Sequence, residues 1–236
     1  MEILLAYLKE NSPNSSAGHK FDAQLLSEVD GPSELSEAIS ARYDPFERYE
    51  GEIWNYRKFI LSQADIQAIV TVIGRRTEEQ RQEEQKTSGF SLKIFHTDFQ
   101  GIDFASGNFE NAIFHQCELD GAKFASAKFN RTRFSQCSAV GAVFIGTFLN
   151  ESQFDKCKLE GCLFKNCHMK ARLLLECNLC GVHFNRCNLT GARIKGCSAI
   201  GSTLTASNID GTLISSSDFK MSGLAVPNLF QNNNSR

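Results

Sequence analysis

Cysteine is the residue type in this chain whose spacing comes closest to a chemical site. Five of the nine cysteines recur at every twentieth position: Cys117, Cys137, Cys157, Cys177 and Cys197. Thiolates can hold zinc, but a zinc site needs tetrahedral ligands that converge on one point, normally from short Cys-x2–4-Cys pairs. A ladder of evenly and widely spaced thiols does not converge. We therefore interpret the five thiols as packed core residues and predict no metal site.

Cys180 lies outside this ladder. It follows Cys177 in "CNLCG", which imitates a paired-thiol motif. We expect the two side chains to point to opposite sides of one wall, so Cys180 should be the exposed thiol. Dense disulfides are typical of short secreted chains, and the first residues lack the basic head and cleavage site of a secretory signal peptide. The cysteines therefore predict a reducing, cytoplasmic location.

The other reactive side chains do not assemble into a catalytic group. No nucleophile–histidine–acid grouping, glycine-rich phosphate loop or carboxylate pair is found, and the histidines share no ligand spacing. The five histidines are His19, His96, His115, His168 and His183. We predict that the protein is not an enzyme and carries no cofactor.

A five-residue rhythm organises the chain around these side chains. From Ile94 to Leu224 an apolar residue occupies every fifth position, which makes (224 − 94)/5 + 1 = 27 positions with alanine as the only weak occupant. A helix has a period of about 3.6 residues and a strand a period of 2, so neither produces this pattern. A repeat of such regularity indicates a solenoid.

A second register supports the first, because a small or thiol side chain lies two residues before most of the apolar positions. Its members are Ala112, Cys117, Ala122, Ala127, Thr132, Cys137, Ala142, Thr147, Ser152, Cys157, Cys162, Cys167, Cys177, Val182, Cys187, Ala192, Cys197 and Ser202. The pattern small–x–Leu/Phe–x–x, as in "CNLTG" and "SNIDG", resembles the pentapeptide-repeat family over residues 91–226. The resemblance implies an all-β solenoid, a right-handed quadrilateral β-helix with four repeats in each coil and about 27/4, or seven, coils. It also implies that the apolar and small residues point inward.

Glycine marks the expected corners of this β-helix. Glycine recurs two residues after an inward apolar side chain, as at Gly101, Gly121, Gly141, Gly161, Gly181, Gly191, Gly201 and Gly211. A chain that turns a corner often needs a positive φ, which glycine adopts without steric cost.

The chain divides into three parts. Residues 1–88 show no pentapeptide phase and predict a mainly helical region, residues 89–226 the β-helix, and residues 227–236 a polar tail. An open β-solenoid exposes its first coil to edge-to-edge association. The amino-terminal region is therefore either a cap of that coil or a separate recognition module.

Helices are predicted along the amino-terminal region. One begins the chain with Ile3, Leu4, Leu5 and Leu8, one is capped near Ser33, and one passes through Trp54, Phe59 and Ile60. The run "AIVTVI" at residues 68–73 is either a strand, because β-branched residues favour strands, or a helix like its flanks, and we favour the helix. The next segment, "TEEQRQEEQK", places Thr77 three residues before Gln80, which is a capping-box pattern and predicts a solvated connecting helix. If the region is a cap, Ile69, Val70, Ile73 or Phe90 would cover the first coil.

One residue breaks the small register. Arg172, in "KARLLLEC", occupies an inward position, where an unpaired charge would cost free energy. We expect a β-bulge that turns Arg172 outward without shifting the downstream phase. The alternative is that its side chain meets an acid inside.

Charge separates two functions found within the family. Residues 1–88 carry 10 − 16 = −6 charges and residues 89–236 carry 15 − 11 = +4. A topoisomerase-binding protein that mimics DNA needs an acidic rod, since duplex DNA carries one charge per ~1.7 Å. We therefore favour a protein-interaction scaffold over the gyrase-binding, quinolone-resistance branch. The family also includes bacterial effectors delivered into host cells, and the sequence permits that reading. We expect no direct nucleic-acid binding and no membrane span.

An apolar cluster among the outward positions predicts where a protein partner binds. Val143 and Leu163 lie one predicted coil apart and should stack on one face, with Ile145 beside them and Phe148 around the next corner. The expected polar rim consists of Lys123, Lys165, His168 and His183. Two alternatives are a bulge and an amino-terminal segment that folds back, either of which would cover the cluster.

Overall fold

Two helices precede a long series of short strands. The computed structural model describes residues 63–88 and 92–215. The helices are α1, Gln63–Gly74, and α2, Glu78–Ser88. The strands are β1 Lys93–Phe95, β2 Ile113–His115, β3 Arg133–Ser135, β4 Val143–Ile145, β5 Gln153–Asp155, β6 Leu163–Lys165, β7 Leu173–Leu175, β8 His183–Asn185, β9 Arg193–Lys195, β10 Thr203–Thr205 and β11 Leu213–Ser215. The predicted helices before residue 63 and the tail at 227–236 lie outside the described residues.

The strands stack into a four-walled parallel solenoid. The first wall is the sheet β1-β2-β3-β5-β7-β9-β11, and β4, β6, β8 and β10 form a second sheet. Each strand pairs in parallel with the strand one coil further along the chain, as Arg133 does with Gln153 and Val143 with Leu163. The ladder of single bridges that begins at Asp98 forms the second wall. The second sheet, which the bridges from Asp103 extend toward the first coil, is the third wall. The ladder that begins at Asn108 forms the fourth wall. The described rod has (215 − 92 + 1)/20, about six turns, which confirms the predicted β-solenoid.

The five-residue apolar register forms the core. Every member from Ile94 to Ala199 is buried, and Leu204, Ile209 and Ile214 are partly buried. Phenylalanines one coil apart stack face to face, with centroid distances of 5.0 Å for Phe104–Phe124 and 4.4 Å for Phe124–Phe144. Stacked and edge-on ring pairs add to the free energy gained by burying their area. The aromatic columns therefore bind successive coils to each other.

The small register also connects the coils. Most of its thiols and hydroxyls donate hydrogen bonds to a carbonyl oxygen of the preceding coil, as in Cys137 Sγ to Phe114 O (3.5 Å) and Thr147 Oγ1 to Phe124 O (2.6 Å). Thr132 and Cys187 donate in the same way. Ser152 and Ser202 donate instead to the carbonyl oxygen three residues earlier. These thiols and hydroxyls are thus satisfied, which removes most of the cost of burying them. A side chain that is small and carries a short donor both fits the inward position and forms this bond.

Left-handed backbone defines every corner. All residues at five-residue intervals from His96 to Gly211 have positive φ, a total of (211 − 96)/5 + 1 = 24, of which 10 are glycine and 14 are not. The prediction that glycines mark corners is confirmed. Non-glycine residues adopt the same conformation at a steric cost, so the fold imposes this backbone on whichever residue occupies the corner.

Exchanging residues at two such corners should change stability in opposite directions. Gly141 has φ 66°, and an added Cβ would meet nothing within 4 Å, so Gly141→Ala tests backbone strain alone. We expect a loss of about 1 kcal/mol in the free energy of unfolding. Ala171, exposed at φ 52°, should gain stability when replaced by glycine. Urea unfolding measures both changes, and equal signs would contradict the argument.

Helix α1 lies against the first coil of the rod. Ile66, Ile69, Val70 and Ile73 are buried in the same hydrophobic cluster as the rod core. The Gln67 side chain donates to Asp103 O and accepts from Asp103 N, both at 2.7 Å, so it pairs with that backbone as a neighbouring coil would. The helix predicted through "AIVTVI" is confirmed. Its role as a protective cap stays a prediction.

Helix α2 begins as the capping-box pattern predicted. Thr77 N donates to Gln80 Oε1 (2.8 Å), and Gln80 N donates to Thr77 Oγ1 (3.2 Å). Both amide groups are thereby satisfied at the open end of the helix. Within the described residues no helix is long and apolar enough to cross a membrane.

Arg172 contradicts the predicted bulge. Leu173 keeps its register with both Gln153 and Arg193, so the ladder is continuous and the Arg172 side chain points inward, 1% exposed. Its guanidinium carbon lies 4.0 Å from the centroid of the Phe154 ring and 5.1 Å from that of Phe164. Its three side-chain nitrogens have no hydrogen-bond partner among the described residues, so the alternative of a buried acid is also wrong. Cation–π contacts replace the ion pair.

Candidate docking surface

The predicted apolar cluster lies on the outside of the rod, across two walls. Val143 pairs with Leu163 on the third wall, and Phe148 lies on the fourth. Ile145 is 40% exposed, while the other three side chains are half-buried. We call these four residues the apolar patch. No bulge covers it, because β4 and β6 pair in continuous register.

Glycine keeps the corner within the patch open. Gly146 lies between Ile145 and Phe148 with φ 61°, and a Cβ there would meet only Ser126 Oγ at 3.8 Å. One coil away on either side, the same corner position carries a side chain, Ser126 or Asn166. The apolar row therefore runs around the corner without interruption. The sequence alone pointed to Ile145 and Phe148 but not to this gap between them.

The predicted polar rim occupies the positions next to the patch. Lys123 pairs with Val143, and His183 pairs with Leu163. Lys165 and His168 are exposed. The His168 ring stacks on Phe148 with centroids 4.8 Å apart and planes 4° from parallel, and His183 Nδ1 lies 2.8 Å from Thr203 Oγ1. His168 thus extends the patch along the fourth wall, whereas His183 bonds away from it.

Cations surround the patch in excess. The third and fourth walls between residues 122 and 191 carry one carboxylate, Glu151. They carry six cations: Lys123, Lys128, Arg131, Lys165, Lys170 and Arg186. Among the described residues, none of these six forms an ion pair, and Arg131 Nε donates instead to Asn111 Oδ1 at 3.0 Å. These segments of the third and fourth walls therefore carry 6 − 1 = +5 charges around the apolar patch, compared with +4 for residues 89–236 as a whole.

The second wall has the opposite character. It carries the acids Asp98, Glu118, Asp120 and Glu160 with one cation, Lys158. Two further apolar side chains, Val140 and Ile200, are 38% and 46% exposed on that wall, and sequence reasoning did not identify them. They lie three coils apart and form no continuous patch. The second wall therefore presents neither a continuous apolar patch nor an excess of cations.

The cysteine ladder lies inside the rod and not at this surface. Cys117, Cys137, Cys157, Cys177 and Cys197 are each at most 2% exposed and are free thiols. Burial raises the pKa of the Cys117 thiol well above its ordinary value and that of Cys162 to about 12. Cys117 and Cys162 therefore stay protonated donors at neutral pH. In the described part of the chain, no three histidine, cysteine or acidic residues are grouped so that they could hold a metal ion.

Cys180 corrects one prediction, since it is half-buried and not exposed. Its sulfur lies 3.3 Å from Ser198 Oγ on the next coil of the second wall. It still points away from the core, whereas the other eight thiols point inward. Cys180 is partly covered by Ser198 from the next coil, and a contact between coils cannot be inferred from the residues next to Cys180 in the sequence.

Thiol labelling should distinguish Cys180 from the others. With Ellman's reagent on the native protein we expect about one cysteine to react, because the other eight thiols are buried and the reagent cannot reach them. In denaturant all nine should react. A Cys180→Ser variant should no longer react in the native state, whereas its other eight cysteines should still react in denaturant. Rapid reaction of several native thiols would contradict the inward placement of the ladder.

Comparison with known proteins agrees with this geometry. A family model described as "Pentapeptide repeat region" matches residues 107–184, and one described as "Pentapeptide repeats (8 copies)" matches 174–205 and 183–220. None of the curated protein sequences matches this chain.

Several solved structures are similar to the chain. Full-length QnrB1, described as a plasmid-mediated fluoroquinolone resistance protein, is 20% identical over 54% of this chain and 72% of its own, with a TM-score of 0.32. Rfr23, a pentapeptide repeat protein from the cyanobacterium Cyanothece 51142, is 13% identical over 62% and 97%, with a TM-score of 0.23. A pentapeptide repeat protein from the Arabidopsis thaliana thylakoid lumen is 25% identical over 55% and 68%, with a TM-score of 0.13. The five-residue registers, the four-walled parallel solenoid and the matching family models together show that the repeat region of this chain, matched over residues 107–220, belongs to the pentapeptide-repeat family.

Proposed function

We propose that the protein is a non-enzymatic scaffold that binds a protein partner at the apolar patch. The observation that carries the proposal is the continuous row Val143–Ile145–Phe148, with Leu163 above it, in a basic surround. Interfaces commonly combine an apolar centre with a polar rim. The central side chains usually supply most of the binding free energy. A solenoid wall suits this role because its backbone is rigidly paired and its outward side chains vary freely.

Two features support the proposed cellular compartment and the choice of a scaffold over a DNA mimic. All nine cysteines are free thiols, which favours a reducing compartment such as the cytoplasm for the scaffold. The cations on the third and fourth walls disfavour the DNA-mimic alternative, because a mimic of a phosphate backbone would present carboxylates there. A regulatory protein or a delivered effector would both use the rod in this way.

Two single substitutions test the docking surface. Leu163→Glu and Phe148→Glu place a charge in the centre of the patch, and we expect each to abolish capture of the partner from native lysate. Because both side chains are only half-buried, circular dichroism and the melting temperature should stay unchanged. Quantitative affinity capture, compared with the wild-type chain, measures the effect.

Val140→Glu is the matched control, since it adds the same charge to an exposed apolar position on the second wall. It should leave the captured proteins unchanged. If Leu163→Glu or Phe148→Glu unfolds the rod, or if both variants capture the same proteins as the wild type, the patch is not the docking site.

A further inference from the structure

We infer that the partner segment docked on the apolar patch is an acidic amphipathic α-helix that lies across the rod, perpendicular to its axis. This inference rests on the proposed function and adds the direction, the secondary structure and the charge of the bound segment. It follows from the direction of the patch, from the pairing of the wall strands and from the arrangement of the cations.

The direction follows from the chain itself. Val143, Ile145, Gly146 and Phe148 belong to one coil, so the apolar row runs around the rod and not along it. Leu163 widens the row by one coil only, because the next residue of that ladder is His183. A straight helix cannot lie flat on both walls, so one that contacts Ile145 and Phe148 together must pack on the corner between the third and fourth walls. The missing side chain at Gly146 lets it approach the backbone there.

The cations form two rows that flank the apolar row. Lys123 and Lys128 lie one coil to one side, and Lys165 and Lys170 lie one coil to the other. Neighbouring coils are ~4.8 Å apart, so the two cationic rows are separated by about 10 Å. An α-helix with its side chains is about 10–12 Å in diameter. A helix in the apolar row would therefore bring acidic side chains on both of its flanks to these cations.

A bound β-strand fits this surface less well. Strand addition needs backbone donors and acceptors on an open edge. Here β6 pairs with β4 on one side and β8 on the other, and the fourth-wall ladder runs without a gap through Lys128, Phe148 and His168. Recognition in the middle of these walls must use side chains. A helix with apolar residues at i, i+3, i+4 and i+7 supplies a matching apolar stripe.

A protein helix is favoured over a nucleic acid by the same surface. Single-stranded nucleic acids bind through bases stacked on open aromatic faces. The Phe148 and His168 rings stack on each other, so the face that each ring turns toward the other is not available to a base. The apolar row also has no counterpart in a phosphate backbone. The lysines, which form no ion pair within residues 63–88 and 92–215, would attract carboxylates as well as they would phosphates.

The test uses fluorescence anisotropy with the full-length chain and three labelled probes. The first is a peptide of ~18 residues with leucine at i, i+3, i+4 and i+7 and glutamate on both flanks of that stripe. The second has the same composition in scrambled order, and the third is an oligothymidine of equal charge. We expect the amphipathic peptide to bind at least tenfold more tightly than either control. Its circular dichroism should gain helix on binding.

Substitutions at two corners locate the bound helix. Gly146→Gln fills the open corner, and glutamine occupies the same backbone conformation at Gln116 and Gln136, so the rod should keep its fold. We expect about a tenfold or greater loss of peptide affinity. Gly121→Gln imposes the same conformation at the corner between the second and third walls and should change nothing. Lys165→Glu should weaken binding most strongly at low salt.

The results separate this inference from the proposed function. Equal binding of the ordered and scrambled peptides, or tighter binding of oligothymidine, overturns the acidic helix as the occupant. The same inference is overturned if the Gly146→Gln variant binds the peptide with the affinity of the wild type. If the peptide fails to bind while Leu163→Glu still loses the partner captured from lysate, the docking function stands and the acidic-helix inference fails. If lysate capture is also unaffected by the patch variants, both fail.

Discussion

Replacing Phe124 by alanine is expected to lower the free energy of unfolding of the rod by about 3–5 kcal/mol. The side chain is fully buried and lies between two other rings, 5.0 Å from Phe104 in the preceding coil and 4.4 Å from Phe144 in the following coil. Truncation therefore removes two stacking contacts and leaves a cavity between coils whose backbones are held by parallel ladders. Urea unfolding followed by circular dichroism measures the loss.

The damage should be local, because the coils of a solenoid interact mainly with their neighbours. Hydrogen exchange should quicken first in the coils that contain Phe104, Phe124 and Phe144, before global unfolding. Phe148→Ala is the matched control, since this phenylalanine lies on the outside of the same coil as Phe144 and should cost much less. Exchange that quickens uniformly along the rod, or equal losses for the two variants, would contradict this account.

Replacing Arg172 by methionine is expected to raise the free energy of unfolding by about 1–4 kcal/mol. The guanidinium is buried without a hydrogen-bond partner among the described residues, and its contacts with Phe154 and Phe164 offset only part of the desolvation cost. Methionine is unbranched and flexible enough to fill the same irregular space. Thermal and urea unfolding measure the gain.

The pH dependence identifies the cause. Burial lowers the pKa of Arg172 from 12.5 to about 10. Below pH 10 the folded rod must hold the buried charge, so the cost is fully present. Between pH 10 and 12.5 the folded side chain loses its proton before the unfolded one does, and the cost disappears as the pH rises. The advantage of methionine over arginine should therefore shrink in this range.

Arg133→Met controls for the loss of a charge at an exposed position of the first wall. It should leave the stability nearly unchanged. If Arg172→Met destabilises the rod, the cation–π contacts outweigh desolvation and the side chain is a stabilising element of the core.

Local sequence determined the repeat, its inward side chains and the capping box at Thr77 and Gln80. These features depend on spacing along the chain, because a five-residue period places the same side chain inward at every repeat and a capping box joins residues three apart. The outward positions of Val143, Ile145 and Leu163 followed from the same period. The 20-residue spacing of the five ladder thiols also predicted that they lie above one another on successive coils.

Only the tertiary structure decided the features that depend on residues in neighbouring coils. It turned Arg172 inward, because the Phe154 and Phe164 rings lie beside it, and it half-covered Cys180 with Ser198 from the next coil. It also imposed left-handed backbone on 14 non-glycine corners, which local preference disfavours. The open corner at Gly146 is also a tertiary feature, because the corner side chains on both sides of it belong to neighbouring coils. The stacking of those coils brings the apolar row and the two flanking rows of cations together.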